Sequence, residues 1–284
     1  LDILKEKFII TKMNRLTSNL NHLILLTGLL LMIIPVWVIF ASSTHTSLFI
    51  NTNGLQFILG DSFIENYSKV LFKKSGFFQE ITAIKMFLNS FIMATGIATL
   101  SVATSLMAAY GLVYFRIKYA SLFFWIIFIT LLVPLELRIM PTYEVMSKLN
   151  LINSYMGLIL PISASAIATF FFRQFYKSVP DELLEAAKLD GANSWKFFID
   201  FLVPLSKTMI AAVFIFMFVF GYNQYLWPLI MTTTEQYWTV VMGLKTMYGS
   251  ISQRFAFVIM SMIPPVLIII FLQRWFIQGI FQNK

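Results

Sequence analysis

The chain has 284 residues, of which 58% are hydrophobic and only 12% are charged. Because soluble domains carry about 25% charged residues, this composition excludes an ordinary soluble protein and indicates an integral membrane protein. The net charge is +8, but the basic residues are scattered and flank apolar runs, which favours contact with anionic lipid and argues against nucleic acid as a partner. With no Cys and two His, the chain offers little material for a metal site, and we expect none.

Six apolar stretches are long enough to cross a bilayer, which takes about 20 residues of helix. They lie near residues 20–41, 87–115, 119–135, 154–172, 208–231 and 255–273. The first stretch follows basic residues as a secretory signal does, but it exceeds the usual apolar length of about 7–15 residues, so we expect a retained span. The predicted fold class is an all-α membrane protein with six transmembrane helices. We expect bends or interruptions at the prolines, which stand at positions 35, 134, 161, 228, 264 and 265.

The distribution of Lys and Arg predicts the orientation, because basic residues concentrate on the cytoplasmic side. With the N-terminus inside, the inner segments hold 13 of these residues and the outer segments hold 8. We therefore expect both termini in the cytoplasm. Residues 1–84 are predicted to form a tail, the first span and a large external loop, and residues 278–284 a short cytoplasmic tail.

One stretch, DELLEAAKLDGANSWKFFIDFLVP at residues 181–204, concentrates charge in an otherwise apolar chain. Ser178 is a candidate cap, and acidic residues next to Pro180 favour a helix start. The helix is expected to reach Leu189, with Gly191 ending it in a left-handed conformation. A second helix is expected to begin after Asn193 or Ser194, and by the orientation above the whole loop is cytoplasmic.

Two interpretations of this loop follow from its residues. Leu183, Ala186 and Ala187 fall on one helical face, with Glu182 and Glu185 beside it. An amphipathic hairpin on the bilayer surface is one reading, although such anchors favour basic residues and large apolar ones. Small residues beside a carboxylate favour the other reading, which is docking into a groove of another protein.

The stretch EAAKLDGA at residues 185–192, followed by Phe198, Ile199 and Pro204, resembles the EAA loop of the inner-membrane permease subunits of binding-protein-dependent ABC importers. The resemblance implies the type I importer permease fold, with a core at residues 85–277 and the coupling loop at about 178–204. It further implies that this loop contacts an ATPase subunit. The coupling residues it implies are Glu185, Ala186, Ala187, Asp190 and Gly191.

That resemblance also implies partners and a location. The partners are a second, homologous permease subunit, two cytoplasmic ATPase subunits, an external solute-binding protein and membrane lipid. ATP and Mg are expected on the ATPase subunits, and no cofactor on this chain. The chain would be a non-enzymatic, multi-pass protein of the bacterial inner (cytoplasmic) membrane.

Three further stretches narrow the resemblance to carbohydrate-type permeases related to the smaller maltose permease subunit. They resemble the second permease subunits of sn-glycerol-3-phosphate importers, and they read LLVPLELRIMPTYEVM (131–146), SYMGLILPISASAIATFFFRQF (154–175) and GYNQYLWPL (221–229). This implies transport of sn-glycerol-3-phosphate or related glycerophosphodiesters by alternating access. A neutral sugar is the alternative solute.

Candidate residues of the translocation path are few. Asn223 and Gln224 are expected mid-span, where polar side chains face the bundle interior, and interhelical hydrogen bonding is an equal alternative. Glu136 and Arg138 are expected at the outer end of the third span, as an ion pair, as interface anchors or near the solute. Asn89 is a family-like position that helix capping explains equally well.

Two observations bear on other classes of function. No G-x-x-x-x-G-K-[ST] motif occurs, so the chain has no phosphate-binding loop of its own for a nucleotide. An ion-coupled secondary transporter is the less favoured alternative, because the sequence shows neither ionisable residues within spans nor paired broken helices in two repeated halves.

Overall fold

The computed structural model describes residues 2–72, 81–115 and 117–281, and the secondary structure of these residues is helical. Lys73, Lys74, Arg116 and Lys284, which enter the predicted orientation, lie outside them. The α-helices of these residues are α1 (Asp2–Ser43), α2 (Ser47–Asn53), α3 (Phe63–Phe72), α4 (Ala83–Tyr114), α5 (Ala120–Ile129), α6 (Leu135–Lys148), α7 (Tyr155–Ser163), α8 (Ala166–Tyr176), α9 (Asp181–Leu189), α10 (Ser194–Lys196), α11 (Val203–Leu205), α12 (Lys207–Tyr222), α13 (Leu226–Met231), α14 (Val240–Thr246) and α15 (Ile251–Phe281). The chain divides into two compact units: Leu1–Gly76 with Gly249–Met260, and Phe77–Tyr248 with Ser261–Lys284.

Three helical segments are long and apolar enough to cross a membrane: Leu20–Ser43, Ala83–Tyr114 and Ile251–Arg274. Three further pairs of helices pass the same test together but are sharply bent, so the number of candidate spans rises to six if each pair is one span. The all-helical class is confirmed. Three of the six predicted spans, the third, the fourth and the fifth, are interrupted, and each of them contains a proline at which a bend or an interruption was expected.

The third predicted span, residues 119–135, is the most strongly bent. Helix α5 continues as a 3₁₀ turn at Thr130–Leu132, and the chain then turns by 105° into α6. Pro134 explains the break, because a proline clashes with the carbonyl four residues earlier and forces the preceding residue into an extended conformation; Val133 has ψ 112°. Glu136 and Arg138 therefore lie at the start of α6 and not at the end of a straight span, which corrects the prediction.

The fourth predicted span bends by 46° between α7 and α8. Ala164 and Ser165 adopt extended conformations there, so helical hydrogen bonds are lost. Two serines of α4 replace some of them: the Ser101 hydroxyl donates to the Ser163 carbonyl (2.8 Å) and the Ser105 hydroxyl to the Ser165 carbonyl (3.2 Å). A membrane protein tolerates such a break only where neighbours satisfy the freed backbone.

The fifth predicted span, residues 208–231, is also divided. Helix α12 ends at Tyr222, and the short helix α13 begins three residues after Asn223. Pro228 explains the separation, since its ring would clash with the Gln224 carbonyl in a continuous helix. Asn223 and Gln224 thus lie at the break between α12 and α13 and not inside a continuous helix. By contrast, the prolines at 35, 264 and 265 lie inside uninterrupted helices.

Helix α4 is the centre of the second unit and packs against α7, α8 and α12. The small residues on its inward face are buried and form a packing surface: Ala94, Ala98, Ser101, Ser105 and Ala109. Gly96 shows how close the approach is, because a Cβ atom there would lie 2.5 Å from Cδ1 of Ile159. Such contacts between small residues stabilise helix pairs in a lipid environment.

The segment predicted as a large external loop contains two short helices, α2 and α3, among its described residues. Thr46 caps α2, and the buried Asn66 of α3 donates from Nδ2 to the carbonyls of Ser43 (2.9 Å) and His45 (2.8 Å). The Tyr67 hydroxyl forms a hydrogen bond with the Ser43 hydroxyl (2.9 Å). The pKa of Tyr67 is raised, because the effect of burial exceeds the opposing effect of this hydrogen bond. These contacts attach α3 to the end of α1.

Candidate functional site

The charged loop forms the predicted helix, turn and second helix, with one difference at its start. Helix α9 begins at Asp181 after Pro180, which supplies no side-chain cap. The Ser178 hydroxyl donates instead to the carbonyl of Phe175 (2.7 Å), so the prediction that Ser178 caps the helix is wrong. The carboxylates of Asp181 and Glu182 remain in the first turn, where the helix dipole favours negative charge.

The end of α9 matches the prediction closely. Gly191 has φ +76°, the left-handed conformation that glycine adopts without steric cost. The amide of Ala192 donates to the Ala187 carbonyl (2.9 Å) and that of Gly191 to the Lys188 carbonyl (3.0 Å), which satisfies carbonyls left free at the helix end. Asn193 then caps α10 by accepting from the Lys196 amide (2.8 Å).

The face of α9 that points inward differs from the predicted one. Ala187 is buried, with 1% of its surface exposed, and lines a cavity of about 170 Å³ together with Tyr110 and Tyr114 of α4. Ala186 and Leu183 do not share this environment, since Ala186 is exposed and Leu183 is half-buried. The three residues therefore do not form one outward docking face, and Ala187 faces the cavity that it shares with α4.

The outward surface of the hairpin combines carboxylates with large apolar side chains. Glu185 and Asp190 are exposed, as is Gly191. Leu189 is 89% exposed and Trp195 is 63% exposed. Neither was among the predicted coupling residues, although Leu189 carried a readable signal as an apolar residue between Lys188 and Asp190 in a polar turn.

Aromatic residues join the hairpin to α4. The Tyr110 hydroxyl donates to the Ser194 carbonyl (2.7 Å), and its ring lies 4.9 Å from that of Phe198. The rings of Tyr114 and Phe197 meet edge to face at 5.4 Å, a favoured geometry for aromatic pairs. Phe197 and Phe198 belong to a π-helical turn, a rare conformation that occurs often at functional sites.

A second feature of this unit is a cavity of about 400 Å³ where the broken helices meet. It lies between the α5–α6 break, the α7–α8 break and α12, with Trp227 of α13 at its edge. Most of its lining is apolar. Its polar side chains are Thr130, Arg138, Thr142 and Ser165.

The electrostatics of this cavity favour an anion. Among the described residues that line it, Arg138 is the one with a charged side chain. The N-terminal ends of α6 and α8 also open here, at Pro134 and Ser165, and the positive end of a helix dipole attracts negative charge.

The other predicted path residues are placed differently. Glu136 is exposed and is not part of the cavity lining, and the structure records no ion pair between Glu136 and Arg138, both of which it describes. Asn223 and Gln224 line an open hollow of about 520 Å³ on α12. Phe216 and Phe220 border both this hollow and the 400 Å³ cavity, so the two are adjacent.

Asn89 is buried and its side chain is fully engaged. Nδ2 donates to the carbonyls of Gln236 (2.7 Å) and Trp238 (2.8 Å), and Oδ1 accepts from the Tyr155 hydroxyl (2.7 Å). Helix α4 begins at Ala83 after the cap Thr82, so the capping explanation for Asn89 is wrong. With its hydrogen-bonding capacity used internally, Asn89 holds the loop before α14 and has little capacity left for a solute.

A helical membrane protein with broken helices around a largely apolar cavity that contains one arginine, and with an exposed hairpin joined to its central helix, belongs to the class of membrane permeases. Residues 101–282 match the family of binding-protein-dependent transport system inner membrane components. The chain belongs to this family, and it is a multi-pass protein of the inner membrane and a transport component.

Similar proteins cover nearly the whole chain. The sn-glycerol-3-phosphate transport system permease protein UgpE of Brucella melitensis is 40% identical over 277 residues, which is 95% of this chain and 98% of that protein. The protein of the same name from Yersinia pestis is 41% identical over 269 residues, with coverage of 93% and 95%. A chain in the crystal structure of a bacterial ABC transporter involved in the import of the acidic polysaccharide alginate superimposes with a TM-score of 0.73 at 22% identity, covering 92% of this chain and 97% of that one, so the fold is shared.

Proposed function

We propose that this chain is a permease subunit of an ATP-driven importer and carries sn-glycerol-3-phosphate, or related glycerophosphodiesters, across the inner membrane by alternating access. The observation that carries the proposal is the 400 Å³ cavity at the helix breaks, with Arg138 as the charged side chain of its described lining. Two helix breaks beside one cavity provide hinges, and rearrangement of such elements opens a site to one side or the other.

The charge of the cavity agrees with the solute. A phosphate monoester is an anion, and the guanidinium of Arg138 binds phosphate oxygens in a two-pronged geometry. The N-termini of α6 and α8 add favourable dipoles. The assignment of the solute rests on the permeases of Brucella and Yersinia. Their names specify sn-glycerol-3-phosphate, and they are 40–41% identical to this chain.

Energy for transport is proposed to come from a separate ATPase. The sequence contains no phosphate-binding loop, whereas the hairpin presents Glu185, Asp190 and Leu189 outward. In this arrangement both termini and the hairpin are cytoplasmic, and two ATPase subunits, each with ATP and Mg, hold this hairpin and that of a second permease subunit. An external binding protein delivers the solute.

Reconstitution tests the solute. The assembled transporter, in liposomes with its binding protein, is expected to hydrolyse ATP faster when sn-glycerol-3-phosphate is added and to accumulate it. Glycerol, which has the same carbon skeleton without the phosphate, serves as the control. A transporter that responds to a neutral sugar and ignores sn-glycerol-3-phosphate would overturn the substrate assignment.

A charge reversal at Glu185 tests the coupling role. Because this side chain is exposed, Glu185→Lys is expected to leave the protein in the membrane while weakening its association with the ATPase. Glu144→Lys reverses an exposed carboxylate on α6 and serves as the matched control. Wild-type transport and ATPase binding in Glu185→Lys would refute the role of this carboxylate.

A further inference from the structure

The first unit contains an apolar segment that follows the first candidate span. The chain carries no Asp, Glu, Lys or Arg between Arg15 and Asp61, so the charge-free run continues well beyond the end of α1 at Ser43. Within it, residues 55–59 read LQFIL, and we call them the apolar loop. Its large side chains are exposed to 56% (Leu55), 63% (Phe57), 79% (Ile58) and 51% (Leu59).

Two candidate spans mark the level of the membrane boundary in this unit. The first ends at Ser43, and another begins at Ile251. Ser47 of α2 hydrogen-bonds Ser252 at the start of that second span (2.9 Å). Helix α2 therefore lies at the level where the first span ends and the other span begins.

The apolar loop descends from α2 toward the interior of the bilayer. The indole nitrogen of Trp37 donates to the Phe57 carbonyl (2.9 Å). Trp37 lies six residues before the end of α1, which at 1.5 Å per residue is about 9 Å inside the span. The backbone at Phe57 is thus held beside the lipid-exposed part of α1, below its end.

Residues at the end of α1 hydrogen-bond part of the backbone of this loop and so attach it to the helix. Side chains of Ser42 and Thr44 accept from the amides of Gln56 (2.9 Å) and Gly60 (2.6 Å). His45 donates from Nε2 to the Ile58 carbonyl (2.9 Å).

Gly60 permits the close contact of the loop with α1. A Cβ atom at this position would lie 2.5 Å from Nδ1 of His45. The loop is therefore built against α1, with its apolar side chains turned away from the protein.

We infer that the apolar loop inserts into the leaflet in which α1 ends and anchors this end of the protein to lipid. The hydrogen bond from Trp37, the absence of charge up to Asp61, the attachment of the loop to the end of α1 and the continuity with the exposed apolar surface of α1 together indicate that the headgroup boundary and the adjoining acyl chains surround it. This inference is independent of the solute and of the coupling partner.

Spin-label accessibility tests the inference directly, because the chain has no cysteine and single-cysteine variants need no background mutations. A nitroxide is attached at Ile58→Cys in the assembled transporter, in vesicles of phosphatidylethanolamine and phosphatidylglycerol. Met32→Cys, mid-way along the first span and also 79% exposed, is the matched lipid reference, and Glu65→Cys on α3 is the aqueous reference.

The expected result is that oxygen, which partitions into hydrocarbon, relaxes the label at Ile58 more than a water-soluble nickel chelate does, as at Met32. A ratio like that of Glu65 would place the loop in water and overturn the inference. Low collision rates with both reagents would show a protein partner covering the loop and would also overturn it. The same measurement at Phe57→Cys guards against a local effect of one label, and wild-type transport by each labelled variant confirms its fold.

Discussion

The hydroxyl of Tyr110 donates a 2.7 Å hydrogen bond to the backbone carbonyl of Ser194, which joins the central helix α4 to the exposed hairpin. At the other end of α4, Asn89 holds the loop before α14. The two residues are about 32 Å apart along the helix, close to the thickness of the hydrocarbon core. Helix α4 therefore connects the proposed coupling surface with the opposite side of the membrane.

Removing the Tyr110 hydroxyl tests this connection. Tyr110→Phe keeps the aromatic contacts but loses a hydrogen bond worth about 1 kcal/mol. We expect ATP hydrolysis to continue while less solute is carried per ATP, because hairpin movement is transmitted less faithfully to α4. The measurement is the ratio of solute accumulated to ATP hydrolysed in liposomes. Tyr119→Phe, at an exposed tyrosine before α5, is the control, and an unchanged ratio in Tyr110→Phe would count against the connection.

Leu189 tests whether apolar contact helps to dock the hairpin. Since the Leu189 side chain is 89% exposed, Leu189→Ser is expected to change the free energy of unfolding of the chain by less than about 0.5 kcal/mol. Its affinity for the ATPase is expected to fall, because a buried leucine at an interface contributes about 1.5–3 kcal/mol. Co-purification with the ATPase measures this effect. Leu149→Ser, at another exposed leucine, is expected to bind normally, and equal binding by both variants would exclude Leu189 from the interface.

Substitutions at Gly191 test whether the left-handed backbone of the turn after α9 matters for coupling. Space around it is open, so the effect of Gly191→Ala comes from the left-handed backbone alone, which costs an ordinary residue about 1–2 kcal/mol. We expect weaker ATPase coupling without loss of the protein from the membrane. Gly191→Asn is expected to retain more activity, because asparagine tolerates this conformation better. If the two variants lose the same activity, backbone conformation is not the cause.

Arg138 tests the charge of the cavity. Arg138→Gln removes a charge-assisted contact worth about 1.5–3 kcal/mol, so the concentration of sn-glycerol-3-phosphate needed for half-maximal transport is expected to rise about tenfold or more. Arg138→Lys, which keeps the charge but loses the paired donors, is expected to be intermediate. Lys148→Gln, at the far end of α6, is the control. Transport kinetics that do not respond to Arg138→Gln would remove this residue from the path.

The hairpin shows what local sequence can predict. Gly191 and Asn193 act through bonds to residues within five positions, so their roles as helix end and cap were readable and are confirmed. The inward face of α9 was not readable. Ala186 and Ala187 are equivalent in sequence, and they are distinguished by burial: Ala187 is buried at the cavity that Tyr110 and Tyr114 of α4 also line, whereas Ala186 is exposed.

The spans show the same limit. Apolar length predicted six membrane-crossing segments, and the prolines marked the breaks at Pro134 and Pro228. The break at Ala164 and Ser165 is not marked by a proline in the same way, since Pro161 lies inside α7, and the Ser163 carbonyl beside the break is satisfied by Ser101, some sixty residues earlier in the chain.

The class of protein, the positions of most spans and the family could be inferred from the sequence, since they depend on composition, local hydrogen bonding and contiguous motifs. Three features follow from the three-dimensional structure and not from the sequence: Arg138 lines a cavity while Asn89 does not, Leu189 faces outward while Ala187 faces inward, and residues 55–59 lie against Trp37. These outcomes depend on contacts between residues distant in the chain, whose partners no local pattern specifies.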